Sequence, residues 1–400
     1  MRALQVRRTP VKLGMARITS ALSPAAAAKV GPLELRRIDD PVRPGGPDAG
    51  WQQVHTRLSG ICGSDLALVD GHASTYFEDW VSFPFVPGHE VVGELDDGTT
   101  VVLEPVLGHA ARGVAPPFDG AAPGDGDDYA HLATPSADGL LEPGIQTGFC
   151  CSTGGGWAPW FWAHDSQLHR VDMPDERAVL VEPFAAGIHA ALLALPTIDG
   201  VDDPIIAVLG AGTMGLATVA GLARYVPHAQ IVVGARYPHQ QALARAFGAT
   251  VVVADRELLR AVRRAAGCHV VGGQLTSGAH VTIDAVGSNA SIGDALAITR
   301  PRGRVVLLGM PADVSLDLTG LWHRETELKG AYTYGTETLA DGTRPTTFQL
   351  AIDTTNHVEA ERLLSATYRL DDHVDALAHA ATAGRRGAVK IAFDLRNATS

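Results

Sequence analysis

The chain has 400 residues, of which 46 % are hydrophobic and 19 % charged, and its formal net charge is −12. This length exceeds what one hydrophobic core usually supports, so we expect two domains. The negative charge disfavours nucleic acids and anionic membranes as partners, because both bind basic patches. No secretory signal is visible, and four cysteines are too few for a disulfide framework in such a chain. We therefore expect a cytoplasmic protein with neither kind of partner.

The first part of the chain is rich in Gly and Pro and carries short apolar runs between turn residues. Such runs predict β-strands of a compact, mostly-β domain. The clearest of them are WQQVHTRLSGI, FVPGHEVVGEL and GTTVVLEPVLG.

From about residue 186, short apolar strands alternate with helices, which is typical of a doubly wound parallel sheet. The predicted strands are IIAVL, QIVVGAR, TVVVA, HVTIDAVG and GRVVLLGM. This alternation ends near residue 320, and RRGAVKIAFDL predicts a later strand that rejoins the first domain. The predicted fold is therefore α/β, with a mostly-β domain over residues 1–185 and 321–400 around a parallel-sheet domain over residues 186–320.

A glycine motif, Gly210-Ala-Gly212-Thr213-Met214-Gly215, follows the strand IIAVL and opens an apolar helix. In a dinucleotide site the first glycine makes the turn, the second admits the pyrophosphate, and the third lets helix and strand pack. The helix N-terminus then offers amide donors to the phosphates. A chance glycine-rich turn is the alternative, but the strand–turn–helix–strand context favours a dinucleotide site.

The end of the next strand bears on the choice of nicotinamide cofactor. An NAD site places an acidic residue about 20 positions after the last glycine, and that count reaches Ala235 in VVGARYPHQ, which has no carboxylate. Arg236 follows, and with Tyr237 it could hold a 2′-phosphate. We therefore expect NADP to be preferred over NAD; the alternative is that Arg236 is a solvated loop residue.

Residues that can bind a metal occur in the first domain and at its junction with the second. Cys62 is followed by His89 and Glu90, and Glu182 lies in LVEPFAAGIHA. Thiolate, imidazole and carboxylate are ordinary zinc ligands, and three protein ligands with one open position make a catalytic site. Each residue also has a structural explanation: Cys62 as a small core residue, His89 as a loop histidine, and the glutamates as helix-capping or surface charges. Spacing alone therefore does not decide whether these residues bind a metal.

Several motifs occur in one order along the chain: GICGSD, PGHEVVG, VEPFAAGIHA, GAGTMG, DAVG and VVLLGM. Together they resemble the zinc-dependent medium-chain alcohol and polyol dehydrogenases, and GIQTGFCCSTGGGWAPWFWAHDSQLH most resembles the glucose- and sorbitol-dehydrogenase-like branches. The resemblance implies a GroES-like catalytic domain built from both ends of the chain, a Rossmann domain between them, and a cleft where zinc meets nicotinamide.

The resemblance also implies roles for the metal-binding residues. Cys62 and His89 would be direct zinc ligands. Glu90 and Glu182 would be the alternating third ligand or partners of the zinc-bound water.

Other roles follow from the same resemblance. Asp65 would orient the histidine ligand, and Ser64 would accept the proton of the substrate alcohol. The residues expected to border the nicotinamide half are Val286, Gly287, Leu308 and Gly309.

Two departures from the family pattern change these expectations. Many relatives hold a structural zinc with four cysteines, but EPVLGHAARGVAPPFDGAAPGDGDDYAHLA contains none. We therefore expect one catalytic zinc and no structural zinc; His109 and His131 with nearby aspartates are the alternative, and a plain loop is the simpler explanation. Ala67 stands where relatives place a proton-relay histidine, with His72 nearby. The proton exit route stays open.

The sequence thus predicts an NADP-preferring, zinc-dependent dehydrogenase of a small secondary alcohol, polyol or sugar-like hydroxyl, or of the matching carbonyl compound. The resemblance suggests a homodimer or homotetramer. Two alternatives remain: a zinc-free reductase of the quinone-oxidoreductase kind, which would lack these ligands, and a non-enzymatic NADP(H)-binding protein.

Overall fold

The structure is a computed structural model that describes residues 1–46, 48–126, 128–136 and 138–398. The chain forms two compact units, one made of Met1–Glu182 with Glu359–Ser400 and the other of Pro183–Val358. The return to the first unit therefore occurs at residue 359 instead of the expected 321, and residues 399–400 of the expected range lie outside the described ones.

In chain order, the strands are β1 (Arg2–Val6), β2 (Leu33–Arg37), β3 (Trp51–Gly60), β4 (Val91–Glu94), β5 (Thr100–Leu103), β6 (Trp160–His164), β7 (Leu168–Arg170), β8 (Ile205–Leu209), β9 (Gln230–Gly234), β10 (Val251–Val253), β11 (Val270–Val271), β12 (Gln274–Leu275), β13 (Ala279–Asp284), β14 (Thr299–Leu307), β15 (Glu327–Gly330), β16 (Leu364–Tyr368) and β17 (Lys390–Asp394).

The α-helices are α1 (Pro10–Ser20), α2 (Pro24–Val30), α3 (Gly63–Val69), α4 (Asp175–Ala178), α5 (Val181–Leu192), α6 (Leu195–Ile198), α7 (Thr213–Tyr225), α8 (Pro238–Ala246), α9 (Leu258–Ala265), α10 (Asn289–Ile298), α11 (Thr319–His323), α12 (Thr347–His357) and α13 (His373–Ala381).

The first unit is built on a sheet with the order β16-β17-β3-β4-β5-β7, and β6 also pairs with β3. Strands β3 to β7 pair antiparallel, whereas β16 and β17 are parallel. Apolar side chains such as Val54, Val91, Val101 and Phe161 form one core under this sheet. The strand β17, which follows the second unit in the chain, thus lies beside β3.

Two helices that the sequence analysis did not predict lie between β1 and β2. The helices α1 and α2 contact each other, and α2 also contacts α13. Pro10 and Pro24 each stand at a helix start, where a missing N–H is tolerated and the fixed φ suits the helix. The first unit therefore combines a mostly-β core with a short helical hairpin.

The second unit carries the predicted parallel sheet, with the order β10-β9-β8-β13-β14-β15 and parallel pairing throughout. All five residues of β8 are buried, as expected for a central strand covered on both faces. The edge strand β15, of sequence ELKG, is exposed at every position. Because this strand has no apolar run, the predicted boundary of the unit at residue 320 lies before it.

Candidate active site

Cys62 lies at the start of α3, where side chains of the first turn cap the helix. It is the N-cap residue, and the Asp65 carboxylate accepts a hydrogen bond from its backbone N at 2.9 Å. A side chain at this third position commonly satisfies a free amide of a helix start. The cap fixes the backbone of Cys62 and keeps Asp65 fully buried.

His89 and Glu90 lie on the extended segment that leads into β4. They follow Gly88, which has a φ of +97° and approaches the indole of Trp157 so closely that a Cβ would lie 2.5 Å from the ring. Only glycine fits such a turn without strain. The turn directs both side chains into the interior, where His89 is 3 % and Glu90 1 % exposed.

The side chains of Cys62, His89 and Glu90 converge, with one ligand atom of each lying within 4.8 Å of the others. Nδ1 of His89 lies 3.7 Å from Oδ1 of Asp65, and both atoms are buried without a hydrogen-bond partner among the described residues. Buried polar atoms are seldom left unpartnered. A zinc ion bound by the thiolate, imidazole and carboxylate fits this arrangement, because a metal-bound histidine usually donates its other N–H to a carboxylate.

The electrostatics of the cluster follow from its burial. Burial lowers the pKa of His89, but the opposing effects of Asp65 and Cys62 dominate and raise it to about 10. Burial raises the pKa of Asp65, against the effect of His89. His89 therefore carries a proton on each ring nitrogen in the cluster without metal, and a metal ion would have to displace one of them.

Lys390 is a member of this site that the sequence analysis missed. It begins β17 and is 3 % exposed; its ammonium forms an ion pair with the Glu90 carboxylate and donates to the Ile61 carbonyl at 3.1 Å. A Cβ on Gly60 would overlap that carboxylate. Lysine is almost never fully buried unless paired, so the lone cation in the apolar run GAVKIAFDL was the available signal.

The other predicted residues of the first unit lie around the cluster in different ways. Glu182 lies in the first turn of α5 and acts electrostatically on both His89 and Lys390, but it is not one of the three converging ligands. Ser64 is half-buried in the first turn of α3. His72 lies beside Asp70, with 3.0 Å between Nδ1 and Oδ1.

The cysteine-free lobe is organised by an arginine. Arg112 is 2 % exposed, and its guanidinium donates to the backbone carbonyl of Leu107 within this lobe and to those of Thr134, Glu142 and Gly144 just after it. Among the residues that the structure describes, neither His109 nor His131 belongs to a group of three converging ligand side chains. Asp127 of this lobe lies outside the described residues.

The glycine motif of the second unit forms the predicted strand–turn–helix. Gly210 has a φ of +88°, and a Cβ on Gly215 would overlap the Gly210 carbonyl, so helix and strand meet there. A Cβ on Gly212, the N-cap of α7, would meet no protein atom within 4 Å. The space beside Gly212 is therefore open, as close approach of a pyrophosphate requires. Thr213 and Met214 occupy the first two positions of α7.

Arg236 lies just beyond the end of β9, as predicted, and its side chain is 70 % exposed. Its Nε lies 3.1 Å from Oδ2 of Asp255. Tyr237 caps α8, and its ring stacks on His239 at 5.8 Å. The Arg236 guanidinium thus lies at the predicted position, but it forms an ion pair with Asp255, which follows β10 in the chain.

The segment that follows β13 contacts the segment that follows β14. A Cβ on Gly309 would overlap the backbone of Gly287, and the backbone N atoms of Leu308 and Gly309 donate to the Asp284 carbonyl at 3.0 and 2.8 Å. The buried Asp284 carboxylate also accepts from the backbone N of Val286 at 2.8 Å. Asp284, a second residue that the sequence analysis missed, therefore shapes this edge.

Two family models match the chain. One is described as an alcohol dehydrogenase GroES-like domain and matches residues 48–173; the other is described as a zinc-binding dehydrogenase and matches residues 213–355. Among curated proteins, sorbitol dehydrogenase of Homo sapiens is 28 % identical over 313 residues, which cover 76 % of this chain and 80 % of the relative.

Solved structures share the fold. A 2R,3R-butanediol dehydrogenase from Bacillus subtilis superposes with a TM-score of 0.66 at 18 % identity, covering 98 % of this chain and 99 % of the other. A zinc-binding dehydrogenase from Sinorhizobium meliloti 1021, described as putative and bound to NADP, gives 0.64 at 19 % identity, with 98 % and 99 % covered. These likenesses confirm the predicted α/β fold, with a GroES-like unit and a Rossmann-type parallel sheet.

Proposed function

We propose that this chain, which belongs to the zinc-dependent medium-chain dehydrogenase/reductase superfamily, transfers a hydride between NADP(H) and a secondary alcohol or polyol, or the matching carbonyl compound. The observation that carries the proposal is the convergence of Cys62, His89 and Glu90, of which Cys62 is half-buried and the other two are buried. A zinc-free reductase has no use for three converging ligands backed by the buried carboxylate of Asp65. The alcohol or polyol class of substrate is supported by relatives such as the human sorbitol dehydrogenase.

Bound by Cys62, His89 and Glu90, a zinc ion would supply a Lewis acid for the substrate oxygen. The residues around it have separate tasks. Asp65 faces Nδ1 of His89 and fixes the orientation of the imidazole. Lys390 holds the Glu90 carboxylate and compensates its charge. Glu182, which acts on both His89 and Lys390, is the second carboxylate that could reach the metal.

Ser64 receives the proton of the substrate alcohol in this proposal. It lies two residues after Cys62 in the first turn of α3 and is half-buried. Proton transfer by a positioned side chain is a common part of such chemistry. His72, paired with Asp70, gives no support to a relay role in place of Ala67.

The preference for NADP rests on the end of β9. No carboxylate stands where an NAD-binding chain accepts the ribose hydroxyl, and Arg236 is the cation at that point. The Arg236 side chain is 70 % exposed, and a 2′-phosphate would compete with Asp255 for its guanidinium. Gly212 leaves the space that the pyrophosphate needs.

The experiment measures zinc per chain by elemental mass spectrometry, together with NADP-linked oxidation of a panel of polyols and secondary alcohols. We expect one zinc per chain and turnover of at least one polyol, both lost in Cys62→Ser. Cys151→Ser is the matched control, because Cys151 is half-exposed and outside the ligand cluster. No zinc after reconstitution would contradict the proposal and favour the zinc-free reductase. NADPH binding without turnover of any substrate would favour a non-enzymatic role.

We further propose a cytoplasmic location and a homodimeric or homotetrameric state. The cysteines of the chain are free, which suits a reducing compartment. Light scattering on the purified protein tests the oligomeric state, and cell fractionation tests the location.

A further inference from the structure

The helical hairpin between β1 and β2 has one face fixed on the first unit. Ala16 of α1 and Ala27 and Ala28 of α2 are buried. Gly71, just beyond α3, lies so close to α1 that a Cβ there would come within 2.6 Å of the Leu13 carbonyl. The hairpin is therefore packed on the first unit by its small residues, and the opposite face of α1 points outwards.

That outer face is apolar. Val11, Met15, Ile18 and Leu22 are 71, 42, 73 and 83 % exposed. Their spacing of four, three and four residues places them on one side of a helix with 3.6 residues per turn, and Leu22 continues the last turn through a hydrogen bond to the Thr19 carbonyl. An amphipathic helix normally turns such a stripe towards the core. Here the stripe faces solvent.

The charge around the stripe is opposite to that of the whole chain. Residues 7–33 contain five basic residues and no acidic one, although the chain as a whole carries −12. The five are Arg7, Arg8, Lys12, Arg17 and Lys29. A groove of about 420 Å³ at the start of α1 is lined by Arg7, Arg8, Lys12 and Arg36 with one acid, Glu34.

An aromatic cluster lies beside the same helix start. Arg8 forms an ion pair of 3.2 Å with Glu78 in the 3-10 helix Thr75–Trp80. In that short helix Tyr76 is 68 % and Phe77 39 % exposed, and Tyr76 lies against Trp80 with ring centroids 4.7 Å apart. Aromatic residues such as the exposed Tyr76 and the half-buried Trp80, beside apolar and basic residues, are typical of membrane interfaces.

We propose that the outer face of α1 binds the surface of an anionic phospholipid bilayer. The four apolar side chains enter between the headgroups, while the basic residues of the segment attract the anionic lipids. Two of these residues also pair within the chain, Arg8 with Glu78 and Lys12 with Glu34. The whole-chain charge led the sequence analysis to expect no membrane partner, but the local charge is what an approaching bilayer meets. A second copy of the chain fits this face less well, because a symmetric contact would place one acid-free segment against another.

The test is co-sedimentation of the full chain with vesicles of phosphatidylcholine alone or of phosphatidylcholine mixed with phosphatidylserine. We expect binding to the mixed vesicles, weak binding to the neutral ones, and loss of binding at high salt. The double variant Ile18→Asp/Leu22→Asp should reduce binding by about tenfold or more. Val42→Asp is its matched control, because Val42 is also 83 % exposed but lies outside the hairpin.

A second variant tests the charge without touching the stripe. Arg17→Glu should weaken binding to the mixed vesicles, whereas Arg260→Glu, at an exposed site of the second unit, should not. Thermal unfolding and dehydrogenase activity in solution should be unchanged in all four variants, since none alters the candidate active site.

Three results would overturn the proposal. The first is equal binding to neutral and anionic vesicles, or none to either. The second is full binding by Ile18→Asp/Leu22→Asp. The third is a concentration-dependent dimer, seen by light scattering, that is lost in Ile18→Asp/Leu22→Asp, together with no binding of the wild type to vesicles. This result would assign the face to a second copy of the chain.

Discussion

The ammonium of Lys390 and the carboxylate of Glu90 form an ion pair in the interior of the first unit, where the two residues are 3 % and 1 % exposed. The Ile61 carbonyl accepts a further hydrogen bond from the ammonium at 3.1 Å. Burial lowers the pKa of Lys390, but Glu90 and Cys62 more than offset this and raise it above its ordinary value. The lysine therefore stays charged and fixes a carboxylate that is also a candidate metal ligand.

Lys390→Met should destabilise the metal-free protein by about 3–5 kcal/mol, because it leaves the Glu90 charge buried without its partner. Urea unfolding measures the effect, with the exposed Lys329→Met as control. Adding Glu90→Gln to Lys390→Met should recover part of the loss. Additive losses in the double variant would show that the two residues do not act as a pair.

Gly212→Ala should fold normally but bind NADPH on the order of tenfold more weakly, because the added Cβ meets no protein atom and points into the space for the pyrophosphate. Gly215→Ala should instead lower the melting temperature, since its Cβ overlaps the Gly210 carbonyl. Calorimetric titration and thermal unfolding of both variants separate the two effects. Normal NADPH affinity in Gly212→Ala would place the dinucleotide elsewhere.

Arg236→Ala should weaken NADPH by about tenfold, or ~1.4 kcal/mol, and leave NADH nearly unchanged. Fluorescence titration with both nucleotides measures this, with Arg260→Ala as control. Because Asp255 pairs with Arg236, Asp255→Asn should change the affinity for NADPH more than that for NADH. Equal loss of both nucleotides in Arg236→Ala would contradict contact with the 2′-phosphate.

Arg112→Met should loosen the lobe between β5 and β6, since carbonyls at four positions lose their shared donor. We expect the free energy of unfolding to fall by at least about 3 kcal/mol, which corresponds to the loss of two hydrogen bonds from a charged group. Amide hydrogen exchange over residues 107–144 should rise. Exposed Arg170→Met serves as control, and unchanged exchange in Arg112→Met would mean that the loop holds its shape without the arginine.

The ion pair between Arg177 and Glu361, with N–O distances of 2.6 and 2.7 Å, should make stability depend on pH. The hydrogen bond from Arg177 lowers the pKa of Glu361 below its ordinary 4.5. The pair thus contributes fully above pH 4.5, and its contribution disappears as the pH falls through the lowered pKa.

In Glu361→Gln the urea midpoint at neutral pH should therefore drop by the equivalent of about 0.5–1 kcal/mol, and the difference from the wild type should vanish in acid. Glu359→Gln is the matched control, because that side chain is 71 % exposed. An equal difference at every pH would exclude the charge of Glu361 as its cause.

The parallel sheet could be predicted because each of its inner strands is a short apolar run, and β8 is buried at all five positions. The exposed edge strand β15 offers no such run. The helix α1 was missed although Val11, Met15, Ile18 and Leu22 recur at helical spacing. Gly14 in the middle of this segment weakens a helix prediction.

The candidate site was predictable where neighbours in sequence are neighbours in space. His89 and Glu90 are adjacent, and Asp65 lies three residues from Cys62. The Lys390 ammonium donates to the carbonyl of Ile61, 329 residues earlier in the chain, and no local pattern encodes such a pairing. A buried lysine needs a partner, but which partner is decided only by the sheet that brings β17 beside β3.

The position of β17 beside β3 has a consequence for biosynthesis. At about 5–20 residues per second, a ribosome needs on the order of 15 to 65 s to pass from Ile61 to Lys390. The whole second unit, Pro183–Val358, emerges within that interval and can fold while the ligand cluster still lacks the cation beside Glu90. The candidate metal site is thus completed only after the whole second unit has been synthesised.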